Sequence, residues 1–186
     1  MKLALLSIFS VLTFTAAAFG QQTDTSSLKK ARMADLSQMV GTWRGSGWIQ
    51  QGASREEFSG TQLIQKKIDG LALLIDGKFV SPQGKVVYEN LSIVTYDETA
   101  RNYKLAAFLA NGSPAIQDLK MVGDHYEWSF QIPKSGTVKY TIAITGDTWT
   151  GTGEFSRDGK AWTKTLEMNL TRVKLKRPPG LGSPSN

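Results

Sequence analysis

Gly41-Thr42-Trp43-Arg44-Gly45 is the stretch that decides the fold, because a short helical pattern ends there and β-strand patterns fill nearly all the chain beyond it. Upstream, Leu28, Met33, Leu36, Met39 and Val40 recur at helical spacing behind Ser27, a residue type that caps helices. Gly41 is expected to end that helix. Downstream the apolar rhythm changes to period two, which predicts strands over 42–50, 56–68, 71–80, 85–96, 102–110, 115–122, 126–132, 137–145, 148–155 and 161–175. Turn chemistry separates them at Asp69-Gly70, Pro82-Gln83-Gly84, Asn111-Gly112, Gly123-Asp124, Gly146-Asp147 and Asp158-Gly159. Links this short make neighbours in sequence neighbours in space, so the expected class is all-β, an antiparallel meander.

The faces are clearest in the second half. Tyr126, Trp128, Phe130 and Ile132 share one side, opposite His125, Glu127, Ser129 and Gln131. Val138, Tyr140, Ile142 and Ile144 repeat the pattern, and Trp149 and Phe155 share a face with Gly151 and Gly153. The last strand groups Trp162, Leu166, Met168 and Leu170 with Lys164 and Arg172. A sheet of about ten such strands with free margins invites aggregation, whereas closure into a barrel removes the margins.

Both ends of the chain differ from this body. Residues 1–20 read as a cleavable signal peptide: Lys2, an apolar run, then Ala18-Phe19-Gly20, with cleavage expected after Gly20. The alternative, a retained membrane anchor, is weakened by Ser7, Ser10, Thr13 and Thr15 in a run near the ~17-residue lower limit for a span. Residues 21–40 form a polar segment and the entry helix, 41–175 the barrel, and 176–186 a Pro-Gly-Ser tail expected to be disordered. The chain has no cysteine, so an exported protein of this kind must rest on its core alone, and a periplasmic or extracellular location is expected. The sequons at Asn90, Asn111 and Asn169 are read as incidental to a bacterial protein.

The net charge of +6 owes much to Arg172, Lys174, Lys176 and Arg177 at the end. A terminal cluster is no stripe across a fold, so nucleic acid is not an expected partner. The tail offers at most a weak contact to an anionic surface, against the plainer reading of a solvated end.

Catalytic and metal chemistry find little material. The single imidazole, His125, lies between Asp124 and Glu127 at a turn, too few ligands for zinc, and no Gly-x-Ser-x-Gly elbow presents a serine. Gly45-Ser46-Gly47 and Gly151-Thr152-Gly153 open no predicted helix and are read as strand glycines. Glu56-Glu57 and Asp97-Glu98 point to opposite faces of their strands. No metal and no catalytic residue is predicted.

With Gly41-Thr42-Trp43 first, then Asp69-Gly70-Leu71, Tyr96-Asp97 and Asp158-Gly159-Lys160-Ala161-Trp162 in order, the chain resembles the calycins over about 39–173. It is most similar to a family of exported bacterial lipocalin-like barrels of unknown function. The resemblance implies a first-strand tryptophan under a basic side chain from the final strand, here Trp43 under Arg172, with Gly41 at the closure. More distantly it resembles nitrobindin-like haem barrels, which bind iron through a late-strand histidine. Leu166-Glu167-Met168-Asn169-Leu170 has none, so haem and other cofactors are not expected, Met168 being a packing residue by type.

What remains is aromatic. Trp128, Phe130, Tyr140, Trp149 and Met168 are the candidate interior contacts for a ligand, with Tyr88 and Tyr103 as hydrogen-bonding walls. The expected function is non-catalytic binding of a small apolar or amphipathic molecule. The alternatives are an isomerase or hydrolase using barrel-mouth carboxylates, and a protein–protein interaction module. A solvent-connected cavity of ~300 Å³ favours the binder, carboxylates convergent on His125 the enzyme, and a filled interior with an exposed aromatic patch the module.

Overall fold

The computed structural model describes residues 20–109 and 114–174. The signal-peptide reading, apart from the backbone of Gly20, lies outside the described residues, as do the tail reading and the Asn111-Gly112 turn.

Ten antiparallel strands close into one barrel in the order β1-β10-β9-β8-β7-β6-β5-β4-β3-β2. They are β1 (Gly41–Gln51), β2 (Ser54–Lys67), β3 (Ala72–Val80), β4 (Val86–Asp97), β5 (Asn102–Leu109), β6 (Pro114–Val122), β7 (His125–Ile132), β8 (Gly136–Thr145), β9 (Thr148–Ser156) and β10 (Thr163–Arg172). Each strand pairs with its neighbours in sequence, as short links favour, and β1 meets β10 from Trp43↔Arg172 to Ile49↔Leu166. The fold is therefore the all-β closed meander that the period-two rhythm predicts.

Helix α1 (Gly20–Ala34) and a 3-10 turn at Ser37–Met39 lie across the end of the barrel where β1 begins. Met33, Leu36 and Met39 are fully buried against it, whereas Leu28 stays exposed. Lys30 pairs with Asp69 of the β2–β3 turn and Lys29 with Glu98, 3.6 Å away. Two expectations fail here. Ser27 falls inside α1 and does not cap it, and the helix stops at Ala34. Gly41 is already a strand residue, with φ +141°, and a Cβ on it would stand 2.6 Å from Arg172 Nη1. The glycine is needed for the approach of the guanidinium, not to stop a helix.

A further correction concerns Trp162. The loop after β9 is wound around Asp158, whose carboxylate accepts from the backbone N–H of Lys160 (2.8 Å) and Ala161 (3.1 Å), so β10 starts only at Thr163. A register shift between Lys164 and Leu166 then inserts one residue into β10. Such a bulge reverses the facing of everything before it. Trp162 and Lys164 thus leave the apolar face that Leu166, Met168 and Leu170 keep, and the Trp162 ring lies outside under Lys139 Nζ, 4.7 Å from its centroid.

The core has two concentrations. At the helix-covered end, Trp43, Leu73, Val94, Leu119, Tyr126 and Leu170 are buried around Trp149. Toward the opposite end Phe58 and Phe79 pack edge to face with centroids 5.3 Å apart, and Phe79 meets Tyr88 at 5.8 Å. Burying an indole or phenyl of about 200 Å² at ~25 cal/mol per Å² contributes on the order of 5 kcal/mol as an upper bound.

Candidate functional site

Period two dictates what the interior contains. In β4 the inward parity runs Tyr88, Asn90, Ser92, Val94, and in β2 it runs Gln62, Ile64, leaving Leu63 outside and exposed. Two of these strands therefore deliver polar groups to a mostly apolar core. Gln62↔Gly77↔Asn90 form one row across β2, β3 and β4. Gly77 has no side chain between them: a Cβ there would sit 2.5 Å from Asn90 Oδ1 and 3.4 Å from Gln62 Oε1. Asn90 Nδ2 donates to Ser92 Oγ at 3.4 Å, but Asn90 Oδ1 is buried with no hydrogen-bond partner. Leaving such an acceptor unmade costs about 1–3 kcal/mol.

Two cavities of about 50 Å³ each adjoin this polar row. Gln62, Trp128, Ile142 and Trp149 line both. Tyr88, Tyr140 and Met168 belong to one of them, Ser92 to the other. Neither approaches ~300 Å³, the lower range of ligand pockets, so the interior is largely filled by its own side chains. Burial raises the pKa of Tyr88 and of Tyr140, so both phenols are held protonated as hydrogen-bond donors.

The wall beside these cavities is incomplete. β6 and β7 pair only at Lys120↔Glu127, Met121↔Tyr126 and Val122↔His125. Beyond Lys120 each strand remains laddered on its other side alone, β6 to β5 as far as Phe108↔Pro114 and β7 to β8 as far as Ile132↔Gly136. A groove of about 440 Å³ occupies that seam, with Ile116, Gln117 and Asp118 on one bank and Trp128 and Ser129 on the other. Trp128 borders the groove outside and both cavities inside. Its ring stacks on Tyr140, with centroids 5.1 Å apart and planes 23° off parallel.

The candidate ligand contacts thus separate into groups. Tyr88, Trp128, Tyr140, Trp149 and Met168 converge on one cavity. Phe130 stands at the margin, 6.3 Å from Tyr140 and half-buried. Tyr103 lies at the other end, where its hydroxyl donates to Arg32 O at 2.8 Å and fastens α1; burial and the Asp35 carboxylate push its pKa up to about 12. The polar row Gln62, Asn90 and Ser92 was missed. The one signal for it was parity, since polar residues sit in step with Ile64 and Val94 where an apolar side chain is the ordinary choice.

The closure residues meet at the helix-covered end. Arg172 Cζ lies 4.1 Å over the Trp43 ring, Arg172 Nη2 donates to Gln38 O at 2.8 Å and Nη1 to Val40 O. Trp43 Nε1 donates to Met39 O at 2.8 Å, and its ring is 5.4 Å from Trp149. His125 is half-buried beside the β6–β7 turn, with Asp124 Oδ1 at 3.2 Å and Glu127 Oε1 at 3.1 Å. The Asp124 hydrogen bond, then Glu127, raises its pKa, which favours an oriented cation over a free base. Among the described residues, no three of His, Cys, Asp and Glu gather to hold a metal ion.

The chain matches no family model and no curated protein sequence. Its barrel is similar to those of several solved structures. Rv2717c from M. tuberculosis superposes with a TM-score of 0.59 at 15% identity, over 76% of this chain and 97% of that one. The S-type phycobiliprotein lyase CPES from Guillardia theta superposes with a TM-score of 0.56 at 15% identity, over 81% and 98%. These likenesses show the barrel fold and nothing of its chemistry.

Proposed function

We propose that this protein is an exported, non-catalytic binder of a small amphipathic molecule, held inside the barrel between its aromatic side chains and the Gln62–Asn90–Ser92 row. One observation carries the reading: Asn90 Oδ1, a buried acceptor without a partner, in a row whose other amide borders both cavities. A core selected for stability alone has an apolar residue there, since an unsatisfied polar atom is destabilising. The neighbouring fold of a phycobiliprotein lyase is consistent with a ligand-handling barrel, although at 15% identity it lends only the architecture. Neither cavity reaches the ~300 Å³ that marks a binder, so the reading requires that a bound molecule move a side chain.

Native mass spectrometry on protein recovered from its own host tests this. A retained small molecule that Asn90→Leu releases supports the reading; bare protein in every preparation, together with no effect of Asn90→Leu beyond stability, overturns it. Export is tested by fractionating cells that express the full chain, with loss of the first 20 residues expected in the exported form.

A further inference from the structure

The two ends of the barrel are covered unequally. α1 and the 3-10 turn cover one end over Trp43 and Leu36, both fully buried. Toward the other end Phe58 of β2 and Phe79 of β3, 2% and 0% exposed, pack beside Tyr88 on one side of the barrel. The seam between β6 and β7 is different, for there the ladder has stopped and one residue lines the outer groove and both cavities. That residue is Trp128. Its indole is held by stacking on Tyr140, and among the described residues its Nε1 donates to no acceptor. A rotation of this one ring off Tyr140 opens the groove to both cavities, because it lines all three.

We infer that ligand enters through the side of the barrel, between β6 and β7, by displacing Trp128 from Tyr140. The geometry also fixes the class of molecule. What replaces an indole lying nearly parallel on a phenol ring is itself flat and aromatic, about two fused rings across. Asn90 itself lines neither cavity, but Gln62 of its row borders both and Ser92 borders one, so a ligand that reaches past them to Asn90 Oδ1 carries an O–H or N–H donor. Gln62 and Ser92 beside it accept or donate to a second polar atom. The inference rests on the binding reading above and adds to it a route and a ligand class.

The test uses 2-naphthol, a flat two-ring donor, and 2-methoxynaphthalene, which has the same rings and no donor. The full chain is titrated with each by fluorescence, and association is followed by stopped flow. 2-Naphthol is expected to bind about tenfold more tightly, the worth of one buried hydrogen bond, and Asn90→Leu to equalise the two. Because the chain has no cysteine, Ser129→Cys on the groove bank and Thr150→Cys on the exposed outer face of β9 each provide a single thiol for a bulky maleimide. Labelled Ser129→Cys is expected to associate many-fold more slowly, labelled Thr150→Cys at the unlabelled rate, and Trp128→Phe faster than the wild type. Binding with equal rates in both labelled proteins overturns the lateral route and leaves the binding reading standing. Equal affinity for the two naphthalenes overturns the donor class. No binding of either naphthalene to wild type or to Trp128→Phe overturns this inference, while a co-purified ligand of another class would still sustain the broader reading.

Discussion

Trp43 and Trp128 are two indoles on the inner face of one barrel, and their surroundings differ in almost every respect. Trp43 is fully buried, donates its N–H to Met39 O, touches Trp149 and lies under Arg172, which itself is anchored on two backbone carbonyls and, through Nε at 3.3 Å, on Asp147. Trp128 is half-buried, has one stacking partner and borders empty space on both sides. The first is held by several independent interactions, so no single one lets it move. The second is held by a stack worth about 0.5–1.5 kcal/mol beyond the area it buries. Local stability is unequal by construction, with the immobile part at the β1–β10 closure and the yielding part at the β6–β7 seam.

The largest expected effect is on the immobile side. Trp43→Ala should cost about 3–5 kcal/mol in denaturant unfolding, because an enclosed ring leaves a cavity that the helix and Arg172 hold open. Arg172→Ala should cost roughly 1–2 kcal/mol through its stacking, carbonyl contacts and ion pair. In the double mutant the two losses should fall short of their sum by at least about 0.5 kcal/mol, since each residue's contribution depends on the other. Trp128→Ala should cost half of the Trp43→Ala value or less. Equal costs for the two tryptophans would remove the contrast between the regions, and strict additivity would remove the closure pair.

Gly153→Ala examines the yielding side from behind. A Cβ at Gly153 would stand 2.8 Å from Tyr140 Cε1 and 3.0 Å from Leu166 Cβ. The ring must therefore shift, taking the stacking surface of Trp128 with it, at a cost of roughly 1–3 kcal/mol. The sharper readout is local: tryptophan emission should move to longer wavelength as Trp128 gains solvent. Unchanged emission with lowered stability would mean that Trp128 does not follow Tyr140.

Much of this architecture was legible from residues. Period-two alternation and turn dipeptides place the strands within two residues of their observed ends for nine of ten, since inward and outward positions face such different solvents. Arg172 over Trp43 was legible only through resemblance. The rest required geometry. A single bulge after Lys164 is silent in composition yet sends Trp162 outside. Where β6 and β7 cease to pair depends on the path of two backbones and leaves no mark in the alternation. Gln62, Asn90 and Ser92 were hidden because a polar residue on an inner face looks like a broken pattern until its neighbours are known.

A smaller effect appears at high pH. Burial raises the pKa of Tyr88 and Tyr140, both lining one cavity, and raises that of Tyr103 at the closed end to about 12. In the unfolded chain these phenols ionise near pH 10. Each group's contribution is intact below that pH and is lost as pH rises toward its folded value, because the unfolded state releases its proton first. Stability should thus begin to decline above about pH 10. Tyr88→Phe should flatten the decline if the seam side dominates and leave it unchanged if Tyr103 does. Stability measured by urea unfolding between pH 8 and 11 in wild type, Tyr88→Phe and Tyr103→Phe apportions it between the two regions.

The smallest effect belongs to His125, which pairs with Val122 on the last rung of the β6–β7 ladder before the turn. Its hydrogen bonds to Asp124 and Glu127 raise its pKa, and the lowered pKa of Asp124 has the same hydrogen bond as its main cause. A raised folded value means that the stabilisation is complete below the unfolded pKa of about 6.5 and disappears as pH rises through the folded one. The group is half-buried and its partner Asp124 is exposed, so solvent screens the interaction and global stability should barely register the change. Amide hydrogen exchange at Lys120, Val122 and Glu127 is the sensitive measure, for in the alternation of an antiparallel ladder the pairs Val122↔His125 and Lys120↔Glu127 are the ones whose N–H groups bond across the seam. Protection there should fall between pH 6 and 8 in the wild type, after correction for intrinsic exchange, and lose that dependence in His125→Gln, while amides of β1 and β10 remain unaffected in both. A pH-dependent loss spread evenly around the barrel would show that the seam is no weaker than the closure, and the contrast drawn from the two tryptophans would not extend to the backbone.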